Sequence, residues 1–153
     1  MIKHKAFLEI TWWIFTLVLV GAIIYPIWNR LPDYPFLVAN IIFWTVFITF
    51  TRYIFQLQHT FIATLQPVKI ILVFLCFYLG IYLINQLNYT QTFLDEQGWD
   101  AVVGNLPYED RNTMIRYIRS QLLLSGVGSA ITTVILPVRL IISIWRWRNK
   151  GTV

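Results

Sequence analysis

The chain has 153 residues, of which 58% are hydrophobic and only 12% are charged, and its mean hydropathy is +0.63. Soluble domains carry about 25% charged residues, so this composition excludes an ordinary soluble domain and predicts an all-α integral membrane protein. The net charge of +5 does not predict a nucleic-acid partner, because several basic residues flank apolar segments, where they orient a chain in a bilayer. The single Cys76 excludes a disulfide framework.

Four apolar segments are long enough to cross the hydrocarbon core, which requires about 20 residues in a helix. The predicted spans cover residues 8–28, 36–55, 68–87 and 122–145. The first segment is too long for a cleavable signal peptide, so we expect it to be retained. The sequence therefore predicts one four-helix transmembrane domain over residues 1–153.

Basic residues are divided unevenly between the two sides of the predicted bundle. Eight of the twelve share the side of the two termini: Lys3, Lys5, Arg52, Lys69, Arg139, Arg146, Arg148 and Lys150. Six of the seven acidic residues lie on the other side, and only Glu9 accompanies the larger basic group. The positive-inside rule therefore predicts a multi-pass protein of the cytoplasmic (inner) membrane with both termini in the cytoplasm.

Residues 88–120 form the one long polar segment and are predicted as an extracytoplasmic loop. The stretch "LPYEDR" is typical of a helix start, and Met114, Ile118 and Leu122 then recur at helical spacing. We expect this amphipathic helix to continue into the fourth span, which would extend outside the membrane. Four apolar residues of the loop form a candidate docking patch for a partner: Trp99, Val102, Val103 and Leu106.

The acidic residues of this loop predict no metal site. Their spacing is not that of a calcium loop, and no histidine lies near them to suggest zinc. A solvated loop with local ion pairs is the simpler interpretation.

Pro137 and Arg139 lie inside the fourth predicted span. A proline removes one backbone hydrogen bond, so we expect a kink at Pro137. Beyond it, Arg139, Ser143 and Arg146 fall on one helix face together with Lys150, which predicts a basic stripe. Two arrangements follow: a kinked span that ends near Trp145, or a shorter span followed by a helix in the membrane interface.

A second polar stripe ends the second span and includes Arg52, Gln56 and His59. Because Glu9 lies at a similar depth, we expect it to pair with Arg52 or Arg139. The candidate polar cluster comprises Glu9, Arg52, Gln56, His59, Arg139, Ser143, Arg146 and Lys150. It can be a structural clamp, a site for an anion or anionic lipid head group, or a proton relay through Glu9 and His59.

Small residues also recur every four positions in the fourth span, in "SGVGSAITT". Ser125, Gly126, Ser129 and Ala130 predict a face for close helix–helix packing. The pattern does not tell whether the neighbouring helix belongs to this chain or to another protein.

The sequence contains no paired carboxylates at catalytic depth, no nucleophile with an evident base, no metal-ligand cluster and no phosphate loop. It therefore predicts neither an enzyme nor a cofactor. The expected function is a small accessory or scaffolding subunit of a larger membrane complex, with lipids and other membrane subunits as partners. The alternatives are an oligomeric channel or transporter with its anion or head-group site at the polar cluster, and a lipid-modifying membrane enzyme.

Overall fold

The computed structural model describes residues 2–150, and the side chains of residues 6–149. This part of the chain contains helices and no β-strand. The α-helices are α1 (Ile2–Arg30), α2 (Leu37–Gln56), α3 (Gln66–Gln97), α4 (Asp100–Val103), α5 (Tyr108–Leu122) and α6 (Gly128–Lys150). Two 3-10 turns, Leu57–His59 and Phe61–Thr64, join α2 to α3, and a π-helical segment, Leu123–Val127, joins α5 to α6.

Four helices are long and apolar enough to cross a membrane: Ala6–Arg30, Leu37–His59, Gln66–Gln97 and Tyr108–Asn149. The prediction of an all-α chain with four helices that can span a membrane is therefore confirmed for the described residues. The last of these spans, Tyr108–Asn149, has 42 residues, because α5 continues into α6 through the π-helical segment. Helix α6 stays helical through Pro137, whereas a kink at that residue stays a prediction.

Helix α3 is longer than the sequence predicts, so the loop begins later in the chain than residue 88. Residues 88–97 were expected in a loop, but they continue α3 for almost three turns because neither glycine nor proline interrupts them. The helix ends at Gly98, whose φ of 72° lies in the left-handed region that glycine adopts without strain. The non-helical part of the predicted loop is thus reduced to short connections around α4.

Helix α6 occupies the centre of the bundle and packs against α2 and α3, whereas α1 packs mainly on α2. The buried residues of α3 are spaced seven apart: Lys69, Cys76, Leu83 and Thr90. A seven-residue repeat keeps one side of a helix against its neighbour, as in left-handed helix packing. We call this side the inner seam of α3.

Small residues of the π-helical segment and α6 pack inside the chain. Ser125, Gly126 and Ser129 are buried, and Ala130 is half-buried. A Cβ atom on Gly126 would collide with the side chain of Leu87 on α3. The predicted packing face is therefore occupied, at least at these residues, by helices of the same molecule.

Two hydrogen bonds, one of them buried, tie α5 to the rest of the bundle. The Trp44 indole Nε1 donates to Gln121 Oε1 over 2.8 Å, and the Tyr117 hydroxyl donates to the carbonyl of Ile23 over 2.7 Å. These bonds link the start of the last long helix to α2 and α1. They fix its rotation, and with it the side of α6 that faces the core.

Candidate functional site

One end of the bundle is formed by the start of α1, the turns after α2, the start of α3 and the end of α6, and we call it the basic end. There the Arg52 Nη1 lies 2.7 Å from Glu9 Oε2. The other carboxylate oxygen of Glu9 accepts the backbone N–H of Phe61 over 3.1 Å. One carboxylate therefore joins α1, α2 and the second 3-10 turn.

The surroundings of this ion pair are dry and aromatic. The side chain of Arg52 is 7% exposed and that of Glu9 14%. The guanidinium carbon lies 5.3 Å from the ring centroid of Trp12 and 5.6 Å from that of Tyr53, within the range of cation–π attraction. Burial in such surroundings strengthens the ion pair and makes the loss of either partner costly.

A second polar group lies between α3 and α6. The side chain of Lys69 is fully buried, with 0% exposure, and its Nζ donates to Ser143 Oγ over 3.0 Å. Ser143 also lines a recess of ≈ 60 Å³ with Leu57, Gln58, Arg139 and Arg146. Within the described side chains, neither Arg139 nor Arg146 forms an ion pair. We call this recess and its cationic wall the basic recess.

Lys69 is the site residue that the sequence did not single out. It lies in the first turn of the third predicted span, a position typical of a lysine at the membrane interface. The signal that identifies it is the seven-residue spacing with Cys76, Leu83 and Thr90, which turns Lys69 toward α6.

The predicted polar cluster is divided in the structure. Glu9 pairs with Arg52 and not with Arg139, the other expected partner. Gln56 and His59 are exposed, and the His59 Nε2 lies 3.1 Å from the Nε2 of its neighbour Gln58. The side chain of Lys150 lies outside the described residues.

The predicted docking patch at the opposite end is part of the core. Val102 and Val103 are buried, and Trp99 and Leu106 pack half-buried against the same cluster. The cause is Arg111, whose guanidinium donates to the carbonyl oxygens of Gly104 and Leu106 over 2.6 and 2.9 Å. These bonds hold the chain after α4 against α5, so these four residues do not form an open apolar patch.

A wider cleft of ≈ 560 Å³ opens between the end of α3 and the π-helical segment. Its lining includes the apolar Leu87 and Val127 and the charged Asp95 and Arg119. Among the described residues, no three histidine, cysteine or acidic side chains are grouped so that they could hold a metal ion. In the basic recess, the hydroxyl of Ser143 lies 3.0 Å from the amine of Lys69.

These observations define a small all-helical protein with four candidate membrane spans, a buried ion pair and a basic recess. Comparisons with protein-family models, with curated proteins and with solved structures find no match for this chain.

Proposed function

We propose that the protein is a non-enzymatic accessory or scaffolding subunit that binds another membrane protein through the outward side of α3. The observation that carries this proposal is a second row of residues on α3, opposite the inner seam. It consists of Ile71, Phe74, Tyr78, Ile81 and Asn85, which we call the outer seam.

The outer seam has the spacing of a helix–helix contact. Its residues alternate three and four positions apart, which is the pattern of residues that face a neighbouring helix. Ile71, Phe74, Tyr78 and Ile81 are between 65% and 70% exposed. Helix α3 thus has one side against α6 and an equally regular side that no described residue covers.

Two polar groups in the outer seam favour a protein neighbour over lipid. Tyr78 lies nine residues after Lys69, or about 14 Å along the helix, near the middle of a hydrocarbon core of about 30 Å. Asn85 lies two turns further. No described residue forms a hydrogen bond with either side chain. Lipid tails offer no hydrogen-bonding group, whereas a neighbouring transmembrane helix does.

The proposed partner is a transmembrane helix that carries small residues. The outer seam itself contains only large side chains and Asn85. In a parallel pair of two copies, Phe74 and Tyr78 would face their own equivalents. Close approach of membrane helices favours small residues at the contact, so a different helix with glycine, alanine or serine opposite these rings fits better than a second copy.

In this proposal the basic end faces the cytoplasm and the protein lies in the cytoplasmic membrane. The uneven distribution of the basic residues supports this orientation. Exposed basic side chains such as Arg146 and Arg148 would then lie near the anionic head groups of the inner leaflet.

The test is purification of the tagged chain from its own membranes in a mild detergent. We expect a different membrane polypeptide in stoichiometric amount, and at least fivefold less of it with the Tyr78→Phe/Asn85→Leu variant. Tyr25→Phe is the matched control, because it removes one hydroxyl from an exposed tyrosine that lies on α1 and not on α3. This control should retain the partner.

Two results would contradict the proposal. Recovery of the chain alone as a homo-oligomer would favour the channel alternative. A partner that the outer-seam variant retains as well as the control does would show that α3 does not bind it.

A further inference from the structure

The basic recess holds positive charge that the described side chains do not neutralise. Lys69 is fully buried, and its hydrogen bond is to the uncharged Ser143. Glu9, the one acidic residue at this end of the bundle, is engaged by Arg52 and the backbone N–H of Phe61. A buried charge without a counter-charge is costly, and even a neutral lysine would leave Arg139 and Arg146 charged.

The geometry of α6 directs three polar side chains into the recess. Arg139, Ser143 and Arg146 are four and three positions apart, so they lie along one helix face. All three line the recess, opposite Leu57 and Gln58 from the first 3-10 turn. Its volume of ≈ 60 Å³ is several times the roughly 10–15 Å³ that one water requires. The space suits one small polyatomic group.

We propose that the basic recess binds a phosphate group. Two guanidinium groups present planar pairs of N–H donors that match phosphate oxygens. Ser143 accepts the Lys69 hydrogen bond through Oγ, which leaves its own O–H free to donate to a ligand. Arg139, Arg146 and Ser143 would contact the phosphate, and Lys69 is a positioning residue that holds Ser143 and adds positive charge behind it.

The phosphate can come from two sources with the same chemistry. The recess lies at the end of the spans, where the phosphate of a lipid head group is in reach, and it is also open to small anions from the aqueous side. The inference does not depend on the proposed partner, since the outer seam is on the opposite side of α3 from Lys69.

The experiment measures thermal unfolding of the purified, delipidated chain in a neutral detergent. One arm titrates sodium phosphate against sodium chloride at constant ionic strength. The other compares mixed micelles that contain phosphatidylglycerol with micelles that contain diacylglycerol. We expect the unfolding temperature to rise with phosphate or with phosphatidylglycerol, because a ligand that binds the folded state stabilises it. The arm that responds identifies the source.

Variants test the assigned residues. Arg139→Gln should weaken binding at least tenfold, and Lys69→Met at least fivefold. Arg148→Gln is the matched control, because it removes one exposed arginine of the same helix that does not line the recess, and it should change binding less than twofold.

Lys69→Met also reports on folding. Without anion, this variant should unfold at or above the wild-type temperature, since it removes a buried charge that no described carboxylate neutralises. If Arg148→Gln weakens anion binding as much as Arg139→Gln does, the binding is nonspecific charge attraction and the proposal is overturned. It would equally fail if neither arm stabilises the wild type, or if Lys69→Met binds as tightly as the wild type.

Discussion

Among single residues, Glu9 has the largest expected effect on stability. Changing Glu9 to Gln leaves the Arg52 guanidinium buried without a counter-charge, and we expect a loss of about 3 kcal/mol or more in the free energy of unfolding. The Glu9→Gln/Arg52→Met double variant should recover most of this loss, because it removes the stranded charge. Unfolding in detergent, followed by circular dichroism, measures both.

The exposed pair of Arg30 and Asp110 provides the control for this prediction. These side chains are 48% exposed and their charged atoms lie 3.4 Å apart. Because solvent screens exposed pairs, Asp110→Asn should cost only about 1 kcal/mol or less. If the double variant is as unstable as Glu9→Gln alone, the buried charge is not the cause of the instability. The same conclusion follows if Asp110→Asn lowers the free energy of unfolding as much as Glu9→Gln does.

The sequence indicated that Glu9 has a basic partner but could not choose between Arg52 and Arg139. Both arginines lie at a similar predicted depth, and depth follows from position along each helix. The choice depends on how the helices are rotated about their axes, which packing decides. In the structure α1 packs on α2, while Ser143 turns the end of α6 toward Lys69.

Among the helices, the contact between α2 and α6 depends on a glycine. A Cβ atom on Gly128 would lie 2.7 and 2.8 Å from two ring carbons of Phe47, so the ring would have to move. We expect Gly128→Ala to destabilise the fold by about 1–3 kcal/mol. Phe47→Leu in the same chain should recover part of the loss. The measurement is again unfolding in detergent.

Gly21 in α1 is the matched position, because a Cβ atom there meets nothing within 4 Å. Gly21→Ala should be neutral or stabilising by up to about 1 kcal/mol, since alanine is the better helix former. If both alanine variants lower stability equally, the loss at Gly128 does not come from contact with Phe47.

Hydropathy was sufficient to predict four long helices, because about 20 apolar residues in succession are a strong local signal. It was not sufficient for the end of α3, where polar residues remain helical until Gly98. Hydropathy also could not predict the burial of Val103, because that burial depends on the hydrogen bonds from Arg111 to two carbonyl oxygens. Local composition predicts elements, whereas burial depends on contacts between segments that are distant along the chain.

For the molecule as a whole, charge and fold together predict the orientation in the membrane. The Leu57–His59 and Phe61–Thr64 turns lie at the basic end, between Arg52 and Lys69. The connections around α4 lie at the other end, near Asp100 and Asp110. The positive-inside rule then assigns the turns to the cytoplasm and the connections around α4 to the outside.

Cysteine labelling in intact cells tests this orientation. Cys76 is fully buried and should react slowly, so the natural chain is the background control. Asn105 and Thr64 are exposed, one near α4 and the other in the second turn. A membrane-impermeant maleimide should label Asn105→Cys in intact cells, and Thr64→Cys only after permeabilisation. The reverse labelling pattern would show that the protein has the opposite orientation in the membrane. The basic recess and the phosphate proposed there would then face the outside rather than the cytoplasm.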